Sequence, residues 1–390
     1  MRRDKMYERL SFSSDYTVED WNALIKMVFS EYFVSDALLK KNKEILRTEI
    51  VNYVKFVNKK EFIDLFNWIY SVFKECILLD KSASVKMLSD SFNEIGDTDS
   101  RWMMNVLTQP DVSQFSERDK IAFYFKAMDE VLEGCFKPRF KLFDKFVAFK
   151  IRQVVADNSS VDFGKLINDF SSQFRVDADL LLKDPIASIS ISQWRNIAAH
   201  KSYAINKTDV VVKYGKPNQR SVTLSVEDFY KVFYWSQDVY TVIRLAEVLV
   251  YLNYMTEVVA ELGGSDKIRV RFEASLLNLI HNMQIVGFEF VATEERSNLF
   301  CLVVKSKIGF NLQDSLFHAS QCLDQLCCAV YDDDFVRDNY QKTKISVIDR
   351  ETSKIASAIM SIETALEMVY GKIDLEQYLD KMEFEFPDQA

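Results

Sequence analysis

The sequence predicts a mainly α-helical protein. A helical N-terminal region leads into a central helical bundle with an inserted β-hairpin, and a small α+β region follows. Three observations carry this expectation. The 390 residues include only nine glycines and five prolines, against usual shares of about 7% and 5%. Both residues interrupt regular elements, so their scarcity favours long helices. Thirty Phe, 17 Tyr and five Trp supply large apolar area for a core. Apolar residues recur at spacings of three and four over most of the chain, and β-branched runs replace that period at only a few places.

Residues 17–108 read as helix after helix. From Asn52 to Ile77, Tyr53, Phe56, Val57, Phe62, Leu65, Phe66, Ile69, Tyr70 and Phe73 mark one buried face. Pro110 and Asp111 break the pattern and make 109–115 a candidate boundary. Three regions follow from this: 1–114, 115–264 and 265–390. In the second, Ser116 with Asp119 resembles a capping box and starts a helix running to about Gly134. A second helix covers 136–156, a loop spans Asp157-Asn158-Ser159-Ser160, and a short helix covers 162–174. A loop at Pro185 precedes a helix from about Ser188 to Ala204. Thr208 to Tyr214 and Arg220 to Val226 flank Gly215-Lys216-Pro217-Asn218 and read as a β-hairpin. One long helix, about Glu227 to Leu262, stops at Gly263-Gly264.

The third region is expected to hold a helix around 270–283 and a hairpin of Val286–Ala292 and Leu299–Lys305. Two more helices are expected at about 311–332 and 344–370. An acidic tail follows, with six carboxylates and Lys381 between Asp374 and Asp388.

The formal net charge is −9, which argues against coating nucleic acid along the whole surface. The six cysteines form no C-x-x-C pair, so they read as buried thiols rather than a zinc ribbon or redox motif. No apolar leader follows Met1 and no run of 18 apolar residues occurs, so a soluble, reduced, cytoplasmic protein without membrane contact is expected. The only histidines are His200, His281 and His318, too few and scattered for a histidine-rich metal centre. No metal or cofactor is expected.

His200 differs from the other two by its setting. It closes Trp194-Arg195-Asn196-Ile197-Ala198-Ala199-His200, after two long helices and a short one and before a hairpin and a long helix. That order of elements, with an R-x4-H spacing and a polar residue after the arginine, resembles the HEPN domain over about residues 115–262. The resemblance implies a HEPN-like helical bundle and a metal-independent endoribonuclease of the kind found in prokaryotic toxin, abortive-infection and antiviral defence systems. It also implies pairing of two copies with a composite site at their interface. Arg195, Asn196 and His200 are then the candidate catalytic residues. Some family members carry a tyrosine two residues after the histidine. Here Tyr203 stands three after, so no tyrosine function is carried over.

The chemistry suits RNA, whose 2′-hydroxyl can attack the adjacent phosphate without a metal. Histidine can move a proton near neutrality, and arginine can hold non-bridging oxygens as charge builds. Asn196 and His200 share a helical face at i,i+4. Residues 195–220 carry six cations against Asp209, and residues 137–152 carry six against Asp144. From the first set, Lys201, Lys207, Lys213, Lys216 and Arg220, with Tyr203, are candidate RNA contacts. The same charges would equally suit solvated faces of a hairpin and a helix. Arg195 would equally suit pairing with a carboxylate, and His200 capping of a neighbouring element. The competing functional reading is a non-catalytic HEPN-type module docking a partner protein, with a regulatory or antitoxin protein as a possible companion in either case. The acidic tail is a candidate shield for the basic site.

Overall fold

The computed structural model describes residues 18–107, 112–155, 157–158, 160–173, 178–215, 218–264, 272–307, 309–333 and 336–387. The chain divides into two compact units, one covering 16–268 and one containing 269–390.

The first unit is built from α1 (Val18–Phe29), α2 (Asp36–Lys41), α3 (Lys43–Val54), α4 (Lys60–Leu79), α5 (Lys81–Leu107), α6 (Glu117–Asp129), α7 (Lys137–Arg152), α8 (Phe163–Gln173), α9 (Asp179–Leu182), α10 (Ile191–Ala199) and α11 (Val226–Leu262), with a three-stranded sheet of β1 (Tyr203–Ile205), β2 (Asp209–Tyr214) and β3 (Arg220–Ser225) before α11. In α4 the buried residues Phe62, Leu65, Phe66, Ile69, Val72, Phe73, Cys76 and Ile77 repeat at three and four, as an inward helical face requires. Fully burying each large apolar side chain contributes roughly 1.5–3 kcal/mol. α11 is buried along most of its length, bends at Tyr254, and ends where Gly263 adopts a left-handed conformation.

One continuous core runs from Ile25 to Val258. Trp102 and Ile121 both belong to it, so the expected boundary at 109–115 falls inside a single core rather than between two. Residues 108–111 themselves lie outside the described residues. The aromatic pairs Phe73–Phe146 at 4.7 Å and Trp102–Tyr240 at 4.5 Å tie the early helices to the later ones.

Two expected helices, 116–134 and 136–156, are one continuous helical run over 117–152. A π-helical turn at Glu130–Phe136 joins α6 to α7. Gly134 sits inside that turn without stopping the helix, because Val131, Leu132, Cys135 and Phe136 are buried around it and hold it in place. The expected helix 188–204 is shorter, ending at Ala199. Tyr203–Ile205 is a strand paired with β2, so the insert has three strands rather than two.

The second unit contains α12 (Phe272–Ile285), β4 (Glu289–Arg296), β5 (Leu299–Lys305), α13 (Leu312–Ser320), α14 (Leu323–Asp332), β6 (Lys342–Ile348), β7 (Ile355–Ser361), α15 (Ile362–Val369), α16 (Leu375–Asp380) and β8 (Glu383–Glu385). Its sheet order is β4-β5-β6-β7-β8, with β5 and β6 parallel and the other neighbours antiparallel. The expected helix 344–370 is instead two strands and a short helix. Ile345 and Val347 alternate inward on β6, and Ala356, Ala358 and Met360 do so on β7, a period of two that only a strand satisfies. The acidic tail is also built into this unit. Asp374 caps α16, β8 pairs with β7, and Glu383 and Glu385 bind Lys342 and Lys344 at 2.8 and 2.6 Å.

Candidate functional site

The motif helix α10 is held at its start by a carboxylate. Asp184 is buried and accepts hydrogen bonds from the backbone N–H groups of Ile186, Ala187 and Ile189 and from Trp194 Nε1. Those bonds shape the loop that delivers Ser190, whose hydroxyl caps the Gln193 N–H. Ile191, Trp194, Ile197 and Ala198 then face the core, which leaves Arg195 and Asn196 half-buried and His200 exposed.

The helix closes in a Schellman arrangement. Lys201 N–H donates to Ala198 O at 3.3 Å and Ser202 N–H to Ile197 O at 2.9 Å. Lys201 takes the left-handed position with φ 51°, where glycine is the unstrained choice. His200 is the residue at the cap itself, with φ −92° and ψ 4°. The side chains of Asn196 and His200 make no hydrogen bond among the described residues.

Arg195 does have a partner. Its Nε lies 2.8 Å from Glu133 Oε2 on the π-helical turn, close enough for an ion pair but not aligned as a hydrogen bond. Glu133 Oε1 accepts from Lys137 Nζ at 2.5 Å. The carboxyl of Asp129, at the end of α6, feels the same group. Burial pushes its pKa up, Arg195 pulls it back, Glu133 and Glu130 raise it further, and His200 lowers it. Arg195 and His200 therefore share one electrostatic neighbourhood, at the junction of α6, the π-turn and α10.

The sheet brings some candidate RNA contacts to this corner. Lys213 N–H donates to Ser202 O at 2.8 Å, and Gly215 N–H to Gln193 Oε1 at 3.3 Å. Gly215 has φ +88°, and a Cβ there would sit 2.9 Å from Asn218 O, so this turn requires glycine. Tyr203 lies opposite Val212 and Ile205 opposite Val210, which puts Lys201 and Lys213 at one end of the sheet and Lys207 at the other. Arg220 pairs with Tyr214 at the Lys213 end. Lys201, Lys207, Lys213 and Arg220 are exposed, and none has an acidic partner among the described residues. Lys216 lies outside the described residues. Tyr203 packs against the core with its ring stacked on Phe125 at 3.8 Å, and burial raises its phenol pKa. Its ring is committed to packing against the core.

The second basic segment, 137–152, loses three of its six cations to the fold and to ion pairs. Arg139 is fully buried, Lys137 holds Glu133, and Lys150 holds Glu75 at 2.7 Å. Sequence reasoning also missed Glu133, Asp129 and Asp184. The one local signal was Asp184-Pro185, a dipeptide that favours turn initiation. The partners of the other two are distant in sequence. Among the described residues no helix is long and apolar enough to cross a membrane. Comparison of the chain with protein-family models, with curated proteins and with solved structures found no match.

Proposed function

We propose that residues 115–264, within the first unit, form a HEPN-type, metal-independent endoribonuclease, with Arg195 and His200 as its reacting pair and Asn196 as their polar neighbour. The observation that carries this reading is the state of Arg195 and His200. Arg195 lies midway along α10 and His200 caps its end, both act on the Asp129 carboxyl, and the terminal nitrogens of Arg195 bond no described residue. Exposed cations without acidic partners at Lys201, Lys213 and Arg220 add a path for a phosphate backbone. In this reaction the RNA 2′-oxygen bonds to the adjacent phosphorus while its proton leaves to a base. The P–O5′ bond breaks, and the 5′-oxygen takes up a proton, leaving a 2′,3′-cyclic phosphate and a 5′-hydroxyl. His200 exchanges one of those protons, and Arg195 holds the non-bridging oxygens. Pairing of two copies would supply a second histidine. A role as a defence effector, with or without a neutralising partner protein, belongs to the same proposal and rests on the resemblance of the motif.

A second reading has its own support. Arg195 already sits against Glu133, which suits a structural ion pair in a non-catalytic module that docks a partner protein. Incubating the protein with mixed tRNA and mRNA in EDTA separates the two. Cleavage by wild type and none by His200→Ala is the expected result. Inertness toward RNA together with stable co-purification of another protein would favour the docking module.

A further inference from the structure

We infer that Glu133 is a positioning residue for Arg195, holding the guanidinium through an ion pair at Nε so that the terminal fork is left for an RNA phosphate. This rests on the ribonuclease reading. A guanidinium carries five donors in one plane, and bidentate recognition of phosphate needs one free edge held in a fixed orientation. An unrestrained arginine spreads over many rotamers, and substrate must then order it.

The geometry at Glu133 removes that freedom from one side. Glu133 Oε2 lies 2.8 Å from Nε as an ion pair, and no described residue hydrogen-bonds the two terminal nitrogens. The buried Arg139 shows the opposite pattern, with both terminal nitrogens taken, one by Glu247 and one by Asp99. Lys137 balances the charge of Glu133 from its other oxygen at 2.5 Å, which reduces the repulsion an incoming phosphate would meet. The carboxylate also stands on a rigid support. Its π-turn continues α6 into α7 and is pinned by buried Val131, Leu132, Cys135 and Phe136. Single π-turns inside α-helices are frequent at functional sites. This turn departs from α-helical spacing in the segment that faces Arg195.

The test uses the full chain as wild type, Glu133→Gln and Arg195→Lys, with two readouts. The first is the ¹⁵N-arginine spectrum, in which the Nε–H signal that disappears in Arg195→Lys identifies Arg195. An exchange-protected signal in wild type that becomes averaged in Glu133→Gln is expected. A signal already averaged in wild type would overturn the inference. The second is cleavage kinetics in EDTA. Glu133→Gln should lower kcat by about 10–100-fold, the scale on which small misplacements act, with a smaller change in KM and an unchanged melting temperature. Cleavage equal to wild type would overturn the positioning role and leave the ribonuclease reading intact. Cleavage faster than wild type would overturn it too, by making Glu133 an inhibitory counter-ion. A wild-type chain that cuts no RNA would defeat the ribonuclease reading, and the positioning role would fall with it.

Discussion

Two arginine–carboxylate clusters lie in the same helical unit, and they are built to opposite rules. In the interior, Arg139 is fully buried. It bonds Glu247 at 2.5 Å and Asp99 at 2.6 Å, while Arg244 bonds Asp99 at 2.7 Å and both oxygens of Glu49. This network ties α3, α5, α7 and α11 together. At the motif corner, Arg195 keeps 22% of its side chain exposed, its Nε meets Glu133 as an ion pair, and its terminal nitrogens hydrogen-bond no described residue. The first cluster spends its guanidinium bonds on the fold, whereas the second leaves most of them open. An arginine beside a carboxylate is therefore not structural by that fact alone. What matters is how many of its donors the protein itself consumes.

Breaking the interior cluster should have the largest effect. Arg139→Ala leaves Glu247 buried without its cation, and loss of one partner of a buried pair costs about 3–5 kcal/mol. Urea unfolding would read this as a large fall in the midpoint. A change below 1 kcal/mol would mean that water reaches the network and that the contrast with Arg195 is overdrawn.

The pH dependence sharpens the same comparison. Two arginines face three carboxylates, and burial pushes the Glu247 pKa up from its ordinary 4.5 to about 8 despite Arg139. Because the folded value lies above the unfolded one, the folded state holds the extra proton over that interval. The contribution of this group to stability is therefore greatest at low pH, falls as pH rises from about 4.5 to about 8, and is level above. Glu247→Gln imitates the protonated form and should flatten that fall in unfolding measurements between about pH 4.5 and 8. An unchanged slope would assign the pH dependence to other groups.

The corner should respond differently. Arg195→Ala should shift stability by no more than about 1 kcal/mol, as for partly exposed ion pairs. A loss comparable to that of Arg139→Ala would make Arg195 a second structural arginine. The smallest effect concerns Lys201. Lys201→Gly relieves the left-handed backbone at the cap and should raise stability by about 1 kcal/mol. No gain would mean that the Lys201 side chain makes a compensating contact.

The helices of the first unit were largely legible, because spacings of three and four over Phe62–Ile77 leave no alternative and Gly263 marks the stop of α11. Strands β2 and β3 were legible from their β-branched runs, but the end of the motif helix at Ala199 and strand β1 were not, because pairing with β2 decides the state of Tyr203–Ile205. Strands β6 and β7 were not. Their small and mixed residues, such as Ser346, Ala356 and Ser357, carry a weak period, and pairing with β5 and β8 decides their state. The site was half legible. R-x4-H is local and visible, but Glu133 meets Arg195 across 62 positions of chain, a contact set by packing. Three cations of the basic run at 137–152, Lys137, Arg139 and Lys150, went to carboxylates for the same reason. Charge in sequence does not say whether a cation ends in solvent or, like Arg139, in the core.

RNA cleavage by Arg195, midway along α10, and His200, at its cap, is decided by one assay. Wild type and His200→Ala are compared on mixed RNA in EDTA, with the ends of the products identified. Cleavage by wild type that leaves 2′,3′-cyclic phosphate or 3′-phosphate ends, and falls by at least about 100-fold in His200→Ala, is the expected result. Equal cleavage by both proteins, or activity abolished by the chelator, would contradict it.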